Sequence, residues 1–383
     1  MRRETVCLTQ VGELAFGPGV ARLAADALAA RRLCSALILT SASVRSHAEA
    51  LSSEIERVGV GVDLFEAPER EPTVADFETA VAYARAAAAE AVIGVGGGSV
   101  MDLAKLVAAL ASSTRNLDDV VGIGKLDGRV LWLACIPTTA GTGSEVSPIA
   151  VLLDESDLLK KGVVSPHLVP DAAYVDPLLT MTMPPSVTAS TGLDALTHCI
   201  EAYANRVAHP LVDTVALEGV RLIAGSLLRA VTNGDDLSAR TDMSRGSLYG
   251  GLCLGPVNTA AVHALAYPLA GEFHVPHGIS NAVLLPHVLA FNLPAATARY
   301  ADIARAMGVP GDGSDEAVAL RGIAFIRELA NRCGVPMRLS DHGVRQNDIE
   351  RLAAGAMTVT RLLENNVRAV TREDAVRIYK EAL

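Results

Sequence analysis

The sequence predicts an α/β domain built on a parallel sheet, followed by an all-helical domain. Up to about residue 180, short apolar runs alternate with longer Ala-rich stretches of helical period, the rhythm of strand–helix units. Beyond Pro184 and Pro185 the strand-like alternation nearly disappears and long helical patterns take over. The length, 383 residues of which 50% are apolar and 20% charged, suffices for two cores and rules out disorder as the main state.

Each element follows from its own pattern. Ala36 to Thr40 (ALILT) reads as a buried strand, Val44 to Val58 as an amphipathic helix and Val60 to Phe65 as the next strand. Val74 to Glu90 reads as a helix, Ala91 to Val95 as a third strand, Ser99 to Ala111 as a helix, and Leu131 to Ile136 as a fourth strand. Shorter extended pieces follow within residues 146 to 176. Helices are expected over Val187 to Tyr203 and Pro210 to Val231. The tandem prolines can continue neither a ladder nor a helix interior, so the domains are expected to be 1–182 and 183–383.

Charge narrows the partners. With 33 basic and 43 acidic residues the net charge is −10, which disfavours a nucleic-acid or anionic-membrane surface. The first residues lack an apolar core of signal-peptide length, and no run of eighteen uncharged apolar residues occurs, so a cytoplasmic protein is expected. The six cysteines form no CxxC pair and are assigned no chemistry.

Two glycine-rich turns follow strands. In VIGVGGGSVMDLAK, residues 92–105, an apolar run ends in Gly96, Gly97, Gly98 and Ser99 before a helix bearing Asp102 and Lys105. Glycines let a pyrophosphate approach the backbone, where free N–H groups and the helix dipole favour its charge. A tight turn capped by Ser99 accounts for the same residues. In IPTTAGTGSE, residues 136–145, Thr138, Thr139, Thr142 and Ser144 stand among Gly141 and Gly143. Both loops would lie at carboxyl ends of parallel strands, where nucleotides bind in open α/β sheets.

Two further segments carry metal-type side chains. In GLDALTHCIEAY, residues 192–203, Asp194 and His198 are four apart on one helix face, which suits either a metal pair or a surface hydrogen bond. Residues 262–292 then place His263, His274, His277 and His287 in an otherwise apolar stretch. Buried imidazoles need partners, and four of nine histidines so close together favour metal binding, with iron(II) or zinc suited to imidazoles plus a carboxylate.

Taken together, these four motifs resemble the iron-containing, or group III, alcohol dehydrogenase family, in family order over nearly the whole chain. The resemblance implies a dehydroquinate synthase-like two-domain plan, with the active site in the cleft between the domains. It implies metal ligands at Asp194, His198, His263 and His277, Fe2+ before Zn2+, and NAD or NADP as cofactor. Cofactor contacts would fall on Gly97, Gly98 and Ser99, on Asp102 near the nicotinamide end, on Thr138, Thr139 and Thr142, and on Lys160. The substrate would be a small alcohol or aldehyde, and the assembly a homodimer. His274 is read as a catalytic cleft residue and His287 as structural.

The chain also departs from the family pattern. Many members carry an aspartate after the ALILT-like strand, where Ser41 stands here, so less repulsion of a 2′-phosphate and use of both cofactors are expected. Tyr267 replaces a second histidine four residues after His263; a tyrosine donates a hydrogen bond but titrates near pH 10. Arg70, in an altered turn between Pro68 and Pro72, is a weaker phosphate candidate. Maleylacetate reductases, dehydroquinate synthases and a non-catalytic binding protein on the same fold are the alternatives; Asp194 with PHGISNA, residues 276–282, argues against the first two, and the complete Asp/His set against the third.

Overall fold

The computed structural model describes residues 5–155 and 159–383. It divides into two compact units, one comprising residues 9–139 and 143–182, the other 183–383 together with 1–8 and 140–142.

The first unit is a parallel sheet layered between helices. In chain order its elements are β1 (Glu13–Phe16), α1 (Leu23–Ala30), β2 (Ser35–Ser41), α2 (Arg45–Arg57), β3 (Gly61–Ala67), α3 (Val74–Ala86), β4 (Ala91–Gly96), α4 (Gly98–Leu110), α5 (Leu117–Val120), β5 (Gly122–Ile123), β6 (Trp132–Pro137), β7 (Ile149–Asp154), β8 (Leu159–Val164) and β9 (Ala172–Val175). Six strands in the order β1-β9-β6-β4-β2-β3 pair in parallel throughout. Buried residues of α1 and α2 share one core with the sheet, and those of α3 and α4 share the core of the other face. Both faces are therefore covered, which is why the central strands read as continuous apolar runs.

The chain steps outward from β2 to β3 and then returns to lay β4 on the other side of β2. That reversal is a topological switch point, and open α/β sheets bind ligands beyond the carboxyl ends of the strands there. Leu39 is in register with Gly94, and Gly96 with Pro137, so Ser41, Gly96 and Pro137 end their strands at one level.

Several elements differ from the sequence reading. β1 and α1 were not expected; β1 has four residues, and it exists because it pairs with β9, distant in sequence. The 146–176 region supplies β7 and β8, an antiparallel pair that β5 joins to make a second sheet, β5-β8-β7. α3 stops at Ala86 and not at Glu90, because Ala88 turns with φ 46° and Glu90 already donates its N–H to Ser35 O at 3.2 Å.

The second unit is helical among its described residues: α6 (Pro185–Tyr203), α7 (Pro210–Thr232), α8 (Leu237–Leu254), α9 (Ala261–Phe273), α10 (His277–Ala306), α11 (Asp315–Arg332), α12 (Ile349–Ala356), α13 (Thr360–Leu363) and α14 (Arg372–Ala382). One core runs through it. Pro185 opens α6 at a position where a missing N–H costs nothing. α6 then packs tightly because Gly192 admits Leu227 and Met243; a Cβ there would meet their side chains at 2.4 and 2.7 Å. α10 is long and apolar enough to cross a membrane by length and composition alone, yet 72% of its most apolar window is buried in the protein, the mark of a core helix.

Candidate functional site

Asp194 and His198 come from α6, His263 from the first turn of α9, and His277 from the first residue of α10. The three helices bring all four side chains together. Asp194 Oδ1 lies 3.8 Å from His198 Nε2, 3.7 Å from His263 Nε2 and 3.7 Å from His277 Nε2. The His198 ring stacks on His263 at 4.8 Å, and His277 meets His263 edge-on at 5.2 Å. Asp194, His198 and His263 are buried, whereas the His277 side chain keeps 27% of its surface exposed. The cluster thus has one open side.

Close packing makes this convergence possible. A Cβ on Gly278 would stand 2.1 Å from Ser190 O, so only glycine lets the start of α10 rest on the α6 backbone, one turn before Asp194.

Electrostatics couple the four side chains. Burial opposes ionisation of Asp194, but His198, His277 and His263 outweigh it and hold the carboxyl well below its ordinary range. Burial lowers the pKa of His198, while for His263 Glu201 and Asp194 overcome burial and push it up to about 9. Donors held about 2.1 Å from an ion in a tetrahedral array stand about 3.4 Å apart, close to the separations seen around Asp194. Asp194, His263 and His277 form the mutually close trio, and His198 joins through Asp194. A carboxylate with imidazoles, one side left open, fits the donor set of a catalytic divalent metal.

Two residues missed in the sequence surround these ligands. Glu201, on α6, accepts from His263 Nδ1 at 2.6 Å and from the Val262 N–H at 2.6 Å. Asn281, on α10, donates from Nδ2 to Asp194 Oδ1 at 2.7 Å and lies 3.1 Å from His263 Nε2 and 3.3 Å from His277 Nε2. Its Oδ1 is buried without a hydrogen-bond partner. Spacing was the available signal, since Glu201 follows Asp194 by seven residues and Asn281 follows His277 by four, both same-face intervals.

The other candidate residues divide. Tyr267 is half-buried with its ring 6.1 Å from that of His277. His274 is exposed and ends α9 in the left-handed conformation, φ 54°, a region in which histidine is enriched; it turns the chain from α9 into α10. His287 is pushed down to about 4 by burial and Arg327.

In the first unit Gly97 precedes α4 with no side-chain cap on the helix, and Gly97, Gly98 and Ser99 are at least partly exposed. A Cβ on Gly97 would lie 3.4 Å from Thr139 Cγ2, so that glycine leaves the strand ends open to a ligand. Uncapped N–H groups, the positive end of the helix and an open approach suit a pyrophosphate. Thr138 is buried; Thr139 and Thr142 are half-exposed. Asp102 has both oxygens engaged, accepting from Ser144 Oγ at 2.5 Å and Val151 N–H at 2.9 Å, and so ties α4 to the 144–151 segment. Lys160 pairs with Glu71 at 2.6 Å, and Arg70 forks onto Asp76 at 2.6 and 3.1 Å, within the capping of α3. Ser41 ends β2 with its Oγ 3.4 Å from Ser43 Oγ, while the exposed Glu69 carboxylate accepts from Ser43 N–H.

Comparison with known proteins adds independent findings. Residues 12–177 match the family model described as iron-containing alcohol dehydrogenase, and residues 188–383 match that of the Fe-containing alcohol dehydrogenase family, C-terminal. A long-chain-alcohol dehydrogenase of Geobacillus thermodenitrificans is 41% identical over 87% of this chain and 85% of its own length. An NAD-dependent methanol dehydrogenase of Bacillus methanolicus is 34% identical over 91% of this chain and 92% of its own. A crystal structure of a 1,3-propanediol oxidoreductase superposes with a TM-score of 0.96 at 32% identity, covering 99% of this chain and 100% of that one.

Proposed function

We propose, since the chain belongs to the iron-containing alcohol dehydrogenase family, that Asp194, His198, His263 and His277 hold one divalent metal in an NAD(P)-dependent alcohol dehydrogenase. The class of reaction is the exchange of a hydride between an alcohol carbon and the nicotinamide: alcohol and NAD+ give aldehyde, NADH and a proton. The observation that carries this reading is Asp194 Oδ1 standing 3.7–3.8 Å from three imidazole nitrogens.

A divalent metal, when bound, acts as a Lewis acid on an alcohol or aldehyde oxygen. The side chains do the rest. Asp194 brings the negative charge that retains a cation, and the exposed flank of His277 leaves a side open for substrate. Tyr267, beside His277, offers a hydrogen-bond donor that orients the substrate oxygen. Tyr267→Phe is expected to lower kcat about tenfold with KM little changed; equal kcat in steady-state kinetics removes Tyr267 from the reaction. His274, exposed on its turn, is assigned to substrate entry.

The cofactor pyrophosphate is assigned to Gly97, Gly98 and Ser99 at the start of α4, with Thr138, Thr139 and Thr142 along the same cradle. Asp102 and Lys160 act by shaping its walls through Ser144, Val151 and Glu71. Ser41, at the carboxyl end of β2, is assigned to the adenosine ribose. A hydroxyl there neither repels a 2′-phosphate nor supplies a cation for it, and the exposed Glu69 carboxylate is screened by solvent, so both NAD and NADP are expected to work. Ser41→Asp should swing the ratio of catalytic efficiencies toward NAD by about tenfold, about 1.4 kcal/mol. An unchanged ratio places position 41 away from the ribose.

Fe2+ as the resident ion, a homodimer and a cytoplasmic location complete the proposal. Elemental analysis of protein purified without chelator tests its metal part; one divalent ion per chain is expected, and none in active protein defeats it.

A further inference from the structure

α9 begins without a cap of its own. Its N-cap is Ala260, which has no side-chain acceptor, and Ala261 and Val262 follow. The first N–H groups of a helix need acceptors, and here one comes from another helix: Glu201 of α6 places Oε1 2.6 Å from Val262 N. The second oxygen of the same buried carboxylate, Oε2, is 2.6 Å from His263 Nδ1. Both oxygens are thus committed as acceptors, and an ionised carboxylate donates nothing.

We propose that Glu201 is a positioning residue that fixes the ring proton of His263 on Nδ1, leaving the Nε2 lone pair directed at the metal position; the inference rests on the metal reading above. An imidazole binds a metal through one nitrogen while the other donates outward, and the outward acceptor sets which nitrogen that is. His263 Nε2 has the donor Asn281 Nδ2 at 3.1 Å, nearer than the Asp194 Oδ1 acceptor at 3.7 Å. The brace is crossed between helices. α6 orients the ligand of α9 through Glu201, and α10 orients the ligand of α6 through Asn281.

Glu201→Gln is informative despite its near-identical shape. The two contacts are made by different oxygens, and an amide places an oxygen at only one of those positions, so the group opposite either Val262 N–H or His263 Nδ1 becomes NH2. If the oxygen caps α9, the NH2 group faces His263 and donates to Nδ1, which drives the proton to Nε2 and blocks the ligand lone pair. Glu201→Asp keeps two acceptors on a shorter stem.

The test measures Zn2+ affinity of the full-length protein by competition with a chromophoric chelator, the absorption spectrum of the Co2+ form, and thermal unfolding without metal. Expected are a 10- to 100-fold weaker affinity for Glu201→Gln with little change in metal-free melting, an altered Co2+ spectrum, and partial recovery in Glu201→Asp. Should the Gln protein fail to fold, the Asp protein decides: a weaker affinity and a changed Co2+ spectrum support the proposal. Affinity within threefold of the parent with an unchanged spectrum, in whichever variant folds, overturns the role of Glu201 and leaves the metal reading intact. A parent protein that binds no metal overturns both.

Discussion

Replacing His263 or His277 by alanine is expected to strip the site of metal and lower alcohol-dependent NAD reduction by more than a hundredfold. Disturbing only the outer partners of a metal ligand costs about 10- to 100-fold in affinity or activity, so loss of a ligand itself should exceed that. The two variants should differ in stability. His263 is buried against Glu201 and Asp194, so its removal leaves the Glu201 carboxylate with one partner fewer in the interior. His277 is partly exposed, and its removal should cost less folding free energy. Metal content and turnover check both variants, with thermal unfolding to separate chemistry from stability. Stoichiometric metal with near-normal turnover in either would remove that residue from the ligand set.

Gly278→Ala should produce the second large effect, from a single methyl group outside the ligand set. Its Cβ would stand 2.1 Å from Ser190 O and 2.8 Å from Ser190 C, backbone atoms that cannot rotate away. α10 must then draw back from α6 by about an ångström, at a cost of about 1–3 kcal/mol. His277 immediately precedes this position and Asn281 lies one turn on, so both lose their distance to Asp194. Metal affinity is expected to fall by about tenfold or more. A Gly278→Ala protein with parental melting temperature and metal affinity would show that the α6–α10 contact does not position the site.

Much of this was legible in the sequence because the signals were local. The buried strands at residues 36–40, 91–95 and 131–136 are apolar runs between turn residues, and they appear as β2, β4 and β6 with boundaries moved by a residue or two. Asp194 and His198 are visible as an i,i+4 pair. What sequence could not supply was long-range pairing. β1 is a strand only because β9, from the far end of the first unit, lies beside it, and β8 only because β5 and β7 flank it. The same limit hid Glu201. Its spacing from Asp194 is visible in the sequence, but its meaning depends on α9 arriving with an uncapped first turn and His263 in place. For Lys160, expected to contact the cofactor, and Arg70, a weaker phosphate candidate, the structure supplies carboxylates, Glu71 and Asp76.

The measurement closest to the central claim is the appearance of NADH absorbance with a series of short- to long-chain primary alcohols, followed on one preparation before chelation, after chelation, and after Fe2+ is returned. Alcohol-dependent NADH formation is expected, lost on chelation and restored by the metal. Undiminished turnover in the metal-stripped protein, or no NADH from any alcohol in the metal-loaded one, would contradict it.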